Sequence, residues 1–229
     1  MKESEAAVGD PAEFERLEPQ ERDAWDAQVE AVRRGTSVAI TLAGTSHDLS
    51  SLPDLSGNLL DLLLDGGGVK SNDIESIAAV GGLFHLRIRQ VKLTDQNVSR
   101  LAGESKPSAL SASLEILNLP QSDLSSVGIQ HLSRFPKLRQ LRLGGGRIDD
   151  AAARAFADLP SLESLHLIGP QMSGTGLRAL VNCNKLSSLY IDDCPLPDSA
   201  WEALFAAKPN LHVHVDQAHH DRDPKAHQH

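Results

Sequence analysis

The sequence predicts an α/β fold: a right-handed solenoid with a parallel sheet along its concave face and short helices along its convex face. Three observations predict it. First, the pattern Leu-x-x-Leu-x-Leu followed by a further apolar residue starts at Leu114, Leu138, Leu162 and Leu186, in SLEILNLPQSDL, KLRQLRLGGGRI, SLESLHLIGPQM and KLSSLYIDDCPL. Each start lies 24 residues after the last, and a fixed period of this length marks a repeat protein. Second, apolar and variable residues alternate inside each unit, as in Leu141-Arg142-Leu143 and Leu165-His166-Leu167, which is the period of a half-buried strand. Third, the spacing then changes to three, giving Ile129, Leu132 and Phe135, or Leu177, Leu180 and Cys183. That is one stripe of a short α- or 3₁₀-helix. A strand and a helix that each bury one side, repeated many times, hide those sides by stacking on the next copy.

These segments resemble the leucine-rich repeat family, with phrases such as GLRAL and CNKL similar to its cysteine-containing, ribonuclease-inhibitor-like members. The resemblance covers roughly residues 36 to 216. It implies a binding module that holds a protein or peptide on its concave sheet. One column departs from the family pattern: where Asn or Cys usually bonds the turn, this chain has Gly67, Val91, Ser122, Gly146, Pro170 and Cys194. The turns after the strands are therefore expected to lack the regular asparagine ladder.

Taken in order, residues 1–35 are read as a flexible start and a capping helix, 36–216 as the solenoid, and 217–229 as a polar, His-rich tail. The stretch before Pro19 carries only Phe14 and Leu17 as large apolar groups. From Pro19, the spacing of Trp25, Val29 and Val32 marks an amphipathic helix that Gly35 can close, with Trp25 as the anchor over the first repeat. Val38, Ile40 and Leu42 form a first strand. Regular units begin at Leu59 and Leu83, and the interval from Leu83 to Leu114 is 31 residues. The extra residues fall near GESKPSALSA, around 103–112, as a tolerated surface insertion or a binding loop. The last strand, LHVHVD, keeps strict alternation but drops one residue from the repeat spacing.

Composition narrows the function. The chain has 229 residues, 40% of them hydrophobic but only 3% aromatic, which suits a narrow interior filled by Leu, Ile, Val and Ala. A formal net charge of −9 and a pI near 5.5 argue against nucleic acid or an anionic membrane as partner. No apolar run approaches a membrane span, and MKESEAAVGD is not a signal peptide, so the chain reads as cytoplasmic unless a leader has been removed. The two cysteines, Cys183 and Cys194, occupy packing positions and read as structural thiols. GGG at 66–68 and 144–146 lacks the Lys and Ser or Thr of a phosphate loop, and no G-x-S-x-G elbow is present. The reading is a non-catalytic scaffold, monomeric or part of a larger complex.

In this register the outward residues form columns across the sheet, making a surface about 30 Å long. The central column is Leu63, Arg87, Asn118, Arg142, His166, Tyr190 and His214. Arg87, Arg89, Asn118, Arg142, His166 and Tyr190 are the candidate partner-binding residues, with the arginines suited to an acidic segment. The other reading of these arginines is an ordinary solvated face.

A second function belongs to a different class. Six of the ten histidines lie at or beyond the last strand: His212, His214, His219, His220, His227 and His229. Alternation places His212, His214 and Asp216 on one face of that strand, a set suited to Zn²⁺, with His219 or His220 folding back as a fourth ligand. The competing reading is a solvated edge strand and a tail that binds metal loosely.

Overall fold

The computed structural model describes residues 19–43 and 48–223. The expected flexible start, His227 and His229 lie outside the described residues.

Helix α1 (Pro19–Arg33) precedes strand β1 (Ala39–Ala43). Six strand–helix pairs follow: β2 (Asp61–Asp65) with α2 (Ser71–Ala78), β3 (His85–Arg89) with α3 (Asp95–Ala102), β4 (Ile116–Leu119) with α4 (Ser126–Leu132), β5 (Gln140–Gly144) with α5 (Asp150–Ala155), β6 (Ser164–Ile168) with α6 (Gly174–Ala179), and β7 (Ser188–Asp192) with α7 (Asp198–Ala207). Strands β8 (His212–Val215) and β9 (Ala218–His219) close the chain. The strands form one sheet in sequence order. Every pairing from β1 to β8 is parallel, and β9 returns antiparallel to β8. A parallel sheet with a helix returning after each strand is the solenoid expected of the repeat.

The repeat period sets the register. Leu117, Leu141, Leu165, Leu189 and Val213 are direct partners in successive strands, and all are 2% exposed or less. The step from Leu189 to Val213 is a full repeat, so the expected loss of one residue before the last strand does not occur there. Only the leading leucine, Leu211, falls out of step, and it is buried nonetheless. Behind the sheet, Ile129, Leu132, Phe135, Phe156, Leu177 and Leu204 bury the helical stripe.

The insertion after α3 is packed against the solenoid. Leu110 is fully buried and Ser111 is 2% exposed; the Ser108 hydroxyl donates to the Leu101 carbonyl at 2.6 Å, and Arg134 donates to the Glu104 carbonyl at 3.0 Å. Each end of the sheet is closed differently. At the first, Trp25, Val29 and Val32 of α1 bury against the core. The Gln28 amide accepts from the Thr41 N–H at 2.8 Å and donates to its carbonyl at 3.0 Å, satisfying that residue of the open edge of β1 in both senses. At the second, residues 217–223 are not the solvated tail the sequence suggests. They fold back, pairing His214 with His219 and Val215 with Ala218, and the Asp223 carboxylate accepts from the Val213 N–H at 3.0 Å.

Candidate functional site

Strand pairing assembles the central outward column as Leu63, Arg87, Asn118, Arg142, His166, Tyr190 and His214 on successive strands. The first half of this face is internally neutralised. Arg87 donates through Nε and Nη2 to the two oxygens of Asp65, at 3.1 and 2.5 Å, a forked geometry that fixes both partners. His85 lies 3.4 Å from Asp61; its burial holds the imidazole below its usual pKa, against the pull of Asp61. Arg87 is thus not the free cation that its place in the sequence suggests.

From the exit of β3 onward the face is more open. Arg89 and Arg142 are exposed, and Arg142 lies where two grooves meet. One groove, about 210 Å³, has Leu117 and Leu141 in its lining, with Asn118, His166 and Tyr190 at its sides. The other, about 400 Å³, runs along the strand exits between Arg89 and Arg142 on one side and Asp192, Asp193 and Asp216 on the other. His166 bonds Asp192 through Nε2 at 2.7 Å and stacks 5.5 Å from Tyr190. Asn118 Oδ1 is buried and makes no hydrogen bond among the described residues. All six sequence-predicted partner-binding residues therefore lie on one sheet face, but Arg87 is paired away from the grooves.

The exit turns explain the shape of the larger groove. Asp193, Asp216 and Gln217 adopt positive φ of 54°, 49° and 65°, a region Asp tolerates better than most side chains. Gly144 is required beside them, because a Cβ there would collide with the Pro120 carbonyl oxygen. The column that lacks the family asparagine is served in part by other groups. The Ser122 hydroxyl donates to the Gly144 carbonyl at 2.9 Å, and Cys194 Sγ lies 3.8 Å from the Met172 carbonyl. Burial pushes the Cys183 thiol up to about 11 and raises that of Cys194, which keeps both protonated and weakly nucleophilic.

At the last strand the predicted histidines come together with a residue the sequence reading missed. His212, His214, His219 and Asp223 each offer a ligand atom, all within 4.8 Å of one another. Asp216 is not among them. It follows the end of β8, its positive φ breaks the alternation, and its Oδ1 accepts from the Asp193 N–H at 2.8 Å. His220 also turns away, packing its ring 4.9 Å from Trp201 and 5.1 Å from Phe205. Burial, then the neighbouring His219 and His212, hold His214 below the usual imidazole pKa.

Two further features escaped the sequence reading. On the helical side, Asp95 accepts from the Ser125 N–H and hydroxyl at 2.8 and 2.6 Å. Asp150 does the same for Ser173, both at 2.7 Å, and takes the Gly176 N–H at 3.0 Å. Glycine is needed at 128 and 176 because a Cβ would collide with the respective carboxylate. The paired phrases SSVG and SGTG were the available signal. Beside the sheet, the residues preceding β1, β2 and β3, namely Val38, Leu60 and Phe84, are 48%, 38% and 39% exposed. The equivalent row farther along is Glu115, Arg139 and Glu163, bridged at 3.4 and 2.9 Å.

Among the described residues no helix is long and apolar enough to cross a membrane. Residues 112–172 and 136–196 match the family model described as leucine rich repeat. Among solved structures, the chain is similar to an internalin from Listeria monocytogenes, at 18% identity and a TM-score of 0.56, covering 82% of this chain and 50% of that one. It is also similar to a leucine-rich repeat protein from Leptospira interrogans, at 16% identity and a TM-score of 0.52, covering 81% and 50%. The chain spans about half the length of these structures, and the likeness is one of fold. Residues 112–196 thus carry leucine-rich repeats, and the constant strand register and buried leucine columns continue the same repeat architecture along the sheet.

Proposed function

We propose that this chain is a non-catalytic interaction module that holds a protein or peptide segment on the concave face of β4 to β8. The single observation that carries this reading is the meeting of two grooves at Arg142, one flanked by Asn118, His166 and Tyr190 and one with oppositely charged walls. A groove edged by an aromatic ring and a few directed polar groups suits a side chain of a partner, and opposed walls fix its orientation by charge. Arg89 and Arg142 favour an acidic group on the partner; Asp193 and Asp216 favour a basic one. Tyr190, held between His166 at 5.5 Å and His214 at 5.0 Å, is a rigid amphipathic anchor of the kind that dominates interfaces.

The test is affinity capture from the native cells on immobilised full-length chain, with mass spectrometry of what is retained. Captured proteins should be lost on Arg142→Glu and on Tyr190→Ala, and retained on Arg154→Glu, an exposed change on α5. Equal capture by all four proteins would remove the concave face from the account.

A further inference from the structure

We propose that His212, His214, His219 and Asp223 form a closed, structural Zn²⁺ site that locks the returning segment onto the last repeat. The backbone alone brings these residues together. His212 and His214 are two apart on β8, and His219 is the direct antiparallel partner of His214, so three imidazoles share one face. Asp223 then enters beneath them from the turn after β9.

Asp223 brings a buried carboxylate into contact with this cluster. Its side chain is fully buried, with one carboxylate oxygen 2.7 Å from His212 Nδ1, 3.2 Å from His219 Nδ1 and 3.0 Å from the Val213 N–H. His212 Nδ1 is itself buried and makes no hydrogen bond among the described residues, despite that 2.7 Å approach. Two electron-rich atoms held together out of hydrogen-bond line are satisfied by an ion that both can ligate.

The donor set selects the ion. Three imidazole nitrogens and one carboxylate oxygen suit Zn²⁺, whereas Ca²⁺ and Mg²⁺ demand mostly oxygen. Tetrahedral zinc with bonds of about 2.0–2.2 Å places its ligand atoms about 3.3 Å apart. The present atoms lie within 4.8 Å of one another, so the widest pair has to close inward and the 2.7 Å pair of His212 and Asp223 to open slightly. Four protein ligands leave no open position, which makes the site structural rather than catalytic. The ring of His214 packs 5.0 Å from Tyr190, so the ion would also stiffen the end of the concave face.

The experiment uses the full-length chain, stripped of metal and titrated with Zn²⁺ by calorimetry and with Co²⁺ by visible absorption. One ion per chain is expected, with the intense bands of tetrahedral Co²⁺ and a higher melting temperature on loading. His214→Ala and Asp223→Asn should each weaken binding by more than about 100-fold, beyond what loss of a group behind the ligands does. Asp223→Asn keeps an acceptor for the Val213 N–H, so it separates the loss of charge from a failure to fold. His227→Ala/His229→Ala should bind like the parent. Weak multi-site binding shared by every variant, a single site indifferent to His214 and Asp223, or an octahedral Co²⁺ spectrum would each overturn the proposal.

Discussion

The two ends of the solenoid meet the same physical demand with different chemistry. A parallel sheet leaves an unpaired row of N–H and C=O groups at each edge, and an uncovered edge invites pairing with other chains. At β1 the cover is a helix, and Gln28 supplies an amide that donates and accepts at Thr41. An amide is neutral, so nothing further is required. At β8 the cover is a two-residue strand and the buried carboxylate of Asp223, which only accepts. A carboxylate there brings a charge that has to be balanced, and imidazoles surround it. The neutral cap completes the fold and nothing more; the charged cap is where the proposed ion belongs.

The comparison can be broken or sharpened by substitution. The largest effect is expected away from both ends, at Leu141→Asp, where a carboxylate would be buried in mid-sheet without a partner. It should cost several kcal/mol and lower the melting temperature by roughly 10 °C or more; a melt within a degree or two of the parent would contradict the register. Asp223→Ala should be next, at about 1–3 kcal/mol, because it removes the acceptor from a buried N–H. Its effect on hydrogen exchange should be confined to β8 and β9, leaving β1 to β6 protected. Gln28→Ala is expected to cost about 1 kcal/mol, since its bonds to Thr41 are exposed, and exchange should quicken at β1 alone. If it matches Asp223→Ala in size and reach, the contrast between a neutral and a charged cap fails.

The smallest expected effect is at Asp150→Asn, in the clamp between α5 and α6. The Ser173 hydroxyl and N–H hold the Asp150 carboxyl below its ordinary pKa. A depressed carboxylate contributes stability above the ordinary carboxylate range and loses it as pH falls through the lowered value. The melting temperatures of parent and variant should therefore differ most near neutral pH and converge in acid. A gap that widens in acid would contradict the clamp.

How much of this was legible follows from what each part is made of. The sheet register and the central column could be read directly, because leucines at a constant interval and strict alternation leave one way to stack. The first cap was legible as well, since Trp25, Val29 and Val32 write a helical stripe. The second cap was not. Segment QAHHDRD has no apolar period; its anchor is His220 serving as an aromatic plug against Trp201 and Phe205, and its key bond is one carboxylate to one amide. Alternation correctly paired His212 with His214 but wrongly carried on to Asp216, where the backbone leaves the strand. The pairing of Arg87 with Asp65 joins residues in neighbouring columns, one strand and two positions apart, so neither column alone reveals it.

The most direct test of the contrast between the ends is native-state hydrogen exchange at the Val213 amide in the full-length chain, compared with Leu189 in the strand before it. Val213 should be protected to within about tenfold of Leu189, because Asp223 holds its N–H. Exchange at Val213 as fast as in an unstructured peptide would show that 217–223 is a solvated tail after all, and that the last strand ends in an open edge.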